Sequence, residues 1–396
     1  MRPELIISII ALVLAVIALG ATAAVYYMLR KPHAAQPANM PTSEPASATA
    51  LLEAEASAGE ILDGPPHVIY NPSKTADWRK IREELVRAAD AAGLPEPVWI
   101  KTTEEDPGFG QARHALDNRA CVVIAAGGDG TVRAVAQVLA GTSTPLGIMP
   151  VGTGNLLARN LDFPIQSIKD LAQIALTGIN KCFDVGRINI EETLSESQIE
   201  SQSENQTDDG SAAPAGHHAF MVMGGVGFDA DLMDSTKSEL KDRIGWLAYV
   251  QAAGTHLFSS KLKAQLQLSA NRQPVDVEAR SVMFLNCGEL TGGIVLEPHA
   301  DPADQWLDLA VLDVRGGILG WFDLARRVIL KGIGFQAHDL IKQNVVAGHI
   351  TTRRIRECRV ALERPQQLQL DGDVLGVVQD FTVEVLPQSL YIRTRH

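Results

Sequence analysis

The chain predicts an α/β layer built on a parallel sheet, followed by a second, largely antiparallel β domain. Three observations predict this order. Short runs with no polar residue, such as Cys121–Ala126, read as strands buried on both faces. Up to about residue 183 these runs alternate with segments of helical spacing, which is the grammar of a parallel sheet with crossover helices. Beyond residue 183, apolar and polar residues instead alternate with period two over many short runs.

The elements follow in order. "HVIYNPSK" is an apolar strand ending in a turn, and Ala76 to Ala92 has helical spacing at Trp78, Ile81, Leu85 and Ala88. "PVWIKTT" is a second strand and Gln111 to Asn118 a short helix. "CVVIAAGG" is a third strand, Thr131 to Ala140 the next helix, and "PLGIMPVGTGN" a fourth strand with a glycine-rich end. The second domain reads as "FDVGRINI", "HHAFMVMGG", "KLKAQLQLSA", "RSVMFLNCG", "WLDLAVLDV", "CRVALE", "QLQLDGD" and "FTVEVL", interrupted by helical stretches near 236–257 and 317–331. Residues 191–216 are polar, acidic and low in complexity, and are expected to form a disordered insert.

The amino terminus is different in kind. Leu5 to Leu29 carries no charge and is dominated by Leu, Ile, Val and Ala. At 1.5 Å per residue it reaches roughly 37 Å, enough for a single transmembrane helix. Ala21-Thr22-Ala23 has the small-x-small look of a signal-peptide cleavage site, but the apolar run is long and Arg2 is offset by Glu4, so an anchor is expected. Arg30 and Lys31 favour a cytoplasmic carboxyl side, hence an inner-membrane, single-pass protein. Residues 30–65, rich in Ala, Pro, Ser and Glu, read as a disordered tether. The domains expected are therefore 5–29 (span), 30–65 (linker), 66–183 with about 386–396 (α/β) and 184–385 (β-rich).

The formal net charge of −12 disfavours a nucleic-acid grip, which needs a basic face. Cys121, Cys182, Cys287 and Cys358 are far apart and form no CxxC pair, so they read as free thiols. His217, His218, His299 and His338 show no metal-ligand spacing.

The chemistry concentrates in glycine-rich turns. In Gly127-Gly128-Asp129-Gly130-Thr131 a strand ends and a helix begins. Glycines let backbone amides approach a ligand, and amides at a helix start suit an anion such as phosphate. Asp129 would be repelled by phosphate unless a cation lies between, so it suits either the Mg²⁺ of a nucleotide or the cap of its own helix. "PVGTGN" repeats the design with Gly152, Thr153 and Gly154, and Asn155 is placed to cap the next helix. "NPSKT" offers Lys74 and Thr75 after the first strand. Three such turns would line one edge of one sheet. Late in the chain, "QLQLDGDVLG" reads as a strand, a glycine turn and a strand, with Asp371 and Asp373 at the tip.

GGDGT, the NP-S-KT turn, P-x-GTGN, "GVGFDA" (225–230) and LDGD in this order resemble the diacylglycerol kinase catalytic family, over about residues 66–396. The resemblance implies an α/β nucleotide domain of the NAD kinase/diacylglycerol kinase type, a β-sandwich-like lipid-substrate domain, and a last strand ("SLYIRTR") that returns to the first domain. It implies ATP binding at Thr75, at Gly127, Gly128, Asp129, Gly130, Thr131, Val132 and Arg133, and at Thr153. Arg133 and Ala134 replace the usual Asn-Glu, and Arg133 is expected to point to solvent. Asp371 is implied as the general base, with Asp373, in place of the usual glutamate, near the nucleotide and its Mg²⁺. A structural Mg²⁺ site is implied at Asp304, with backbone carbonyls of Asp301 and Trp306, and with Gln305 where a glycine is usual. Asp229 lies where the family's acceptor pocket begins, and reads either as shaping that pocket or as capping a helix start. The helix from Leu319 to Phe335 reads as a core helix with a charged edge or as one that dips into lipid headgroups.

The function implied is an ATP- and Mg²⁺-dependent kinase for a membrane lipid, with diacylglycerol the leading acceptor. Sphingoid bases, ceramide and phosphatidylglycerol-type lipids are alternatives. An NAD kinase-like enzyme and a non-catalytic nucleotide-binding regulator are further readings. A homodimer is an additional expectation about partners.

Overall fold

The computed structural model describes residues 62–195, 211–227, 261–269, 273–290, 294–314 and 348–395. The apolar stretch 5–29, the tether up to residue 61, the helical stretches 236–257 and 317–331, Asp229 and His338 lie outside the described residues. Among the described residues no helix is long and apolar enough to cross a membrane.

The first half alternates strand and helix: β1 (His67–Tyr70), α1 (Trp78–Ala91), β2 (Val98–Lys101), α2 (Phe109–Asp117), β3 (Val123–Gly127), α3 (Asp129–Leu139), β4 (Leu146–Pro150), α4 (Leu156–Asn160) and α5 (Ile168–Thr177). The second half is nearly all strand: β5 (Ile179–Ile190), β6 (Gly216–Phe220), β7 (Met223–Val226), β8 (Leu262–Gln267), β9 (Val275–Ala279), β10 (Ser281–Leu285), β11 (Glu289–Leu290), β12 (Ile294–Val295), β13 (Leu307–Val314), β14 (Gly348–Ile355), β15 (Glu357–Leu370) and β16 (Asp373–Thr394).

The parallel sheet runs in the order β2-β1-β3-β4. Every residue of β3 is buried, as its apolar run requires. Helix α1 buries Ile81, Leu85 and Ala89, one side of its helical repeat, and Asp77 caps it by accepting the amide of Lys80.

The two halves share one 14-stranded sheet, because β16 is 22 residues long and belongs to both. Its first part pairs antiparallel with β15, from Asp373 opposite Leu370 to Glu384 opposite Glu357. Its last part pairs antiparallel with β5 and touches β4 in parallel at Ile392–Leu146. "SLYIRTR" therefore does return to the first layer. Two hydrophobic cores result. One fills the space between the parallel sheet and its helices and runs on to Met221–Met223 and Leu285. The other lies within the β-rich part, around Phe220, Phe284, Leu370 and Phe381.

Residues at both ends of the stretch expected as an insert are described, and they are folded. Thr193 Oγ accepts the amide of Ala215 at 2.8 Å, which closes the base of the loop. Ala213, 1% exposed, packs on β16; its amide donates to the Val377 carbonyl and the Val377 amide donates to the Ser211 carbonyl, an isolated parallel bridge centred on Ala212. Residues 211–216 thus belong to the folded part: alanines give them apolar surface to bury, which the acidic stretch before them lacks. All four cysteines are free; Cys287 and Cys358 are buried and Cys121 and Cys182 half-buried.

Candidate active site

Strands β1, β3 and β4 are neighbours in one parallel sheet, so the turns after them lie side by side. Their contact is close. A Cβ on Gly152 would lie 2.7 Å from the Gly128 Cα, so only glycine lets the two backbones touch. Lys74, from the first turn, brings its Nζ to 3.8 Å from where a Gly128 Cβ would sit. Thr75 and Thr153 are exposed.

Within Gly127–Arg133 the residues divide by direction. Gly127 makes room for Thr131, whose side chain would lie 2.5 Å from any Cβ there, and Thr131 is buried. Val132 belongs to the core: it is 6% exposed and its amide makes the first bond of α3, to the Gly128 carbonyl at 3.1 Å. Its side chain and its amide are thus taken up by the fold. The amides of Asp129, Gly130 and Thr131 precede that first bond, and no side chain caps α3. They form an uncapped helix start, the arrangement that suits an anion.

Asp129 neither caps its own helix nor points at the ligand side alone. Its Oδ2 accepts the amide of Asn155 at 2.9 Å and its Oδ1 that of Leu156 at 2.6 Å. It therefore caps α4, and ties the second glycine turn to the first. Asn155 stands in the left-handed region at φ 49° and does not cap α4 with its side chain. It closes the turn instead, accepting the Gly152 amide at 3.0 Å and donating to the Gly152 carbonyl at 2.7 Å. The second turn thus spends its helix-start amides on Asp129, and the first turn keeps its own open. Burial raises the Asp129 carboxyl to about 6, with the neighbouring Asp371 and Asp373 charges adding to the effect and the two amides opposing it.

The acidic hairpin comes to this place from some 240 residues downstream. Asp371 and Gly372 form its two-residue loop with φ 50° and 92°, the doubly left-handed turn that Asp-Gly supplies. Such a loop usually faces water, but Asp371 is only 4% exposed, because β15 also pairs with β7 beside the turn 221–223. Asp371 Oδ2 accepts the amide of Met221 at 2.8 Å, and Oδ1 those of Val222 and Met223 at 2.8 and 3.0 Å. Burial raises its carboxyl against these amides and against the nearby Arg133 charge. No sequence motif announces the amide cradle at 221–223; it exists only through the β7–β15 pairing. Asn286 supports it from below, donating to the carbonyls of Met221 and Asp184 at 2.8 and 3.0 Å.

Asp373 lies over the first turn, its Oδ2 2.7 Å from where a Gly130 Cβ would be. Arg133, expected in solvent, is turned inward: its side chain is 14% exposed and its Nη2 donates to Asp373 Oδ2 at 3.0 Å. The reason is electrostatic. Asp129, Asp371 and Asp373 converge, and Arg133 is the cation that faces them from α3.

A triphosphate suits the first turn on this geometry: open amides, Lys74 alongside, and no Cβ in the way. A divalent cation has fewer ligands to hand. Asp129 and Asp371 already hold two and three amides, and Asp373, half exposed, is the most open of the three carboxylates to it.

At the implied structural metal site the side-chain ligand already has protein partners. Asp304 Oδ2 pairs with Arg354 and its Oδ1 accepts the Trp306 amide at 3.0 Å. Asp301 accepts the Ala303 amide at 3.0 Å. Gln305 does adopt φ 68°, as the glycine it replaces would, and its amide goes to buried Asp184. An arginine thus stands where a cation was expected. Among the described residues no group of three or more His, Cys, Asp or Glu is placed to hold a metal ion.

Fold and site together set an open helix start beside an acidic hairpin, and the proteins this chain resembles are named as kinases of diacylglycerol or as probable lipid kinases. Residues 65–188 match the diacylglycerol kinase catalytic domain. The chain is 24% identical to a diacylglycerol kinase of Bacillus subtilis over 318 residues, covering 78% of this chain and 90% of that one. It is 30% identical to a diacylglycerol kinase of Mycobacterium tuberculosis over 190 residues, 48% of this chain, and spans about half the length of that relative, 54%. The fold is that of a diacylglycerol kinase crystal structure from Bacillus anthracis, with a TM-score of 0.54 at 19% identity over 84% of this chain and 97% of that one.

Proposed function

We propose that this protein is an ATP-dependent lipid kinase that transfers the γ-phosphoryl group to a lipid hydroxyl, with diacylglycerol as acceptor and phosphatidic acid as product. The observation that carries the reading is the meeting of the Asp371–Asp373 hairpin with the open amides of the glycine turn. The relatives named diacylglycerol kinase support the choice of acceptor.

The amides of Asp129, Gly130 and Thr131 bind phosphate oxygens, and Lys74 adds a positive charge beside them. Mg²⁺, when bound, neutralises charge on the transferring group, and Asp373 is the residue that would hold it. Asp371 accepts the proton of the attacking hydroxyl. A carboxylate has about four acceptor positions, and three are filled by amides. Oδ2, with one amide against two on Oδ1, keeps room for the hydroxyl. A burial-raised carboxyl is also the stronger base. We further propose that 5–29 anchors the enzyme beside its insoluble substrate, with the catalytic part on the cytoplasmic side where ATP is.

The test is transfer of label from γ-labelled ATP to diacylglycerol, other lipids or NAD in mixed micelles. Label entering diacylglycerol is expected; label entering NAD and no lipid would reverse the reading. Asp371→Asn is expected to lower turnover by about 10²–10⁴-fold with ATP still bound. Turnover within twofold of wild type would remove Asp371 from the base role.

A further inference from the structure

We propose that Arg133 is a positioning residue that exchanges partners: it pairs with Asp373 before nucleotide binds, and with the terminal phosphoryl group of a bound triphosphate afterwards. The inference rests on the reading of this site as a triphosphate site. It concerns a residue type that the family's usual Asn-Glu sequence does not supply.

Geometry carries it. Arg133 is one helical turn beyond Gly130 on α3, so its side chain rises beside the open amides of Asp129, Gly130 and Thr131. It is 14% exposed and, among the described residues, makes a single ion pair, Nη2 to Asp373 Oδ2. Its Nε is buried and has no hydrogen-bond partner. A buried guanidinium donor left without an acceptor is costly, and it marks a group whose second partner arrives with a ligand. The planar fork of an arginine can give two parallel bonds to one phosphoryl group, which a lysine cannot. Asp373 is the half-exposed carboxylate of the three, so it is the one that a divalent cation can draw away. Once Asp373 turns to the cation, Arg133 is left beside Asp371, whose carboxyl its charge already reaches. The pair then works as a placeholder. It keeps Asp373 and the guanidinium satisfied in the empty site, and releases both to different parts of the same ligand.

The experiment is equilibrium binding of ATP and ADP to the full chain, with and without Mg²⁺, for wild type, Arg133→Gln, Asp373→Asn and the double variant, with thermal melting as a check on folding. The proposal expects Arg133→Gln to lose tenfold or more in ATP affinity while ADP affinity changes by less than threefold. It expects Asp373→Asn, which frees Arg133 without a cation, to bind metal-free ATP severalfold tighter, and the double variant to lose that gain. Equal losses for ATP and ADP in Arg133→Gln, or an Asp373→Asn gain that survives removal of Arg133, would assign Arg133 to general electrostatics and overturn the proposal. A wild-type chain that binds ADP and ATP alike, with Arg133→Gln unchanged, also overturns it and leaves the nucleotide site standing. A wild-type chain that binds neither nucleotide removes the site reading and this assignment with it.

Discussion

Asp129 shows how one side chain can hold a site together at a cost. Its two amide bonds fasten α4 to the glycine turn, yet burial beside Asp371 and Asp373 opposes its charge. With a folded value of about 6 against the ordinary 3.8, the folded state holds this proton where the unfolded chain releases it. The Asp129 contribution to folding is therefore greatest below about pH 4 and falls as pH rises to about 6, by on the order of 3 kcal/mol. Asp371, also raised by burial, acts in the same direction. Urea denaturation of wild type and Asp129→Asn between pH 4 and 7 reads this directly: the variant should keep only part of the slope. Identical slopes would mean that Asp129 is ionised as easily in the fold as in the open chain.

The glycine turns are one element in three pieces, because Gly152 and Gly128 are in backbone contact. A valine at 152 would place its Cβ 2.7 Å from a main-chain atom that cannot rotate away. Gly152→Val should therefore cost about 1–3 kcal/mol of stability. It should also lower ATP affinity by about tenfold or more, since a displaced Gly128 misaligns the amides behind it. Wild-type ATP affinity in a folded Gly152→Val protein would show that the two turns act separately. The hairpin follows the same logic from the other side. Asp-Gly makes the turn, and pairing of β15 with β7 buries it, so its chemistry depends on a neighbour far away in the chain.

At the scale of the whole molecule, β16 joins the two cores. Leu390 and Ile392 are 0% and 1% exposed, and their strand carries the pairing to β5 and β4. Removing residues 389–396 should cost about 5 kcal/mol or more, comparable with the stability of a typical domain, and should leave a chain that is cleaved rapidly by protease. A truncated protein that melts cooperatively within a few degrees of the full chain would show that the return strand is dispensable. The proposed anchor has its own test: a reporter fused after residue 40 should read as cytoplasmic, and export of the reporter would reverse the topology.

The strand and helix order, the three glycine turns and the acidic tip were legible in the sequence, because each is a local pattern. Apolar runs set buried strands, 3.6-residue spacing set helices, and Asp-Gly set a turn. Folding alone decided where the side chains of those motifs point. Asp129 caps a different helix from its own, Arg133 turns from water to Asp373, Asp304 takes Arg354 as its partner, and Asp371 enters a cradle of amides 150 residues upstream. The physical reason is that charge and hydrogen-bond satisfaction are settled by whatever is near in space, and the one-dimensional pattern records only what is near along the chain.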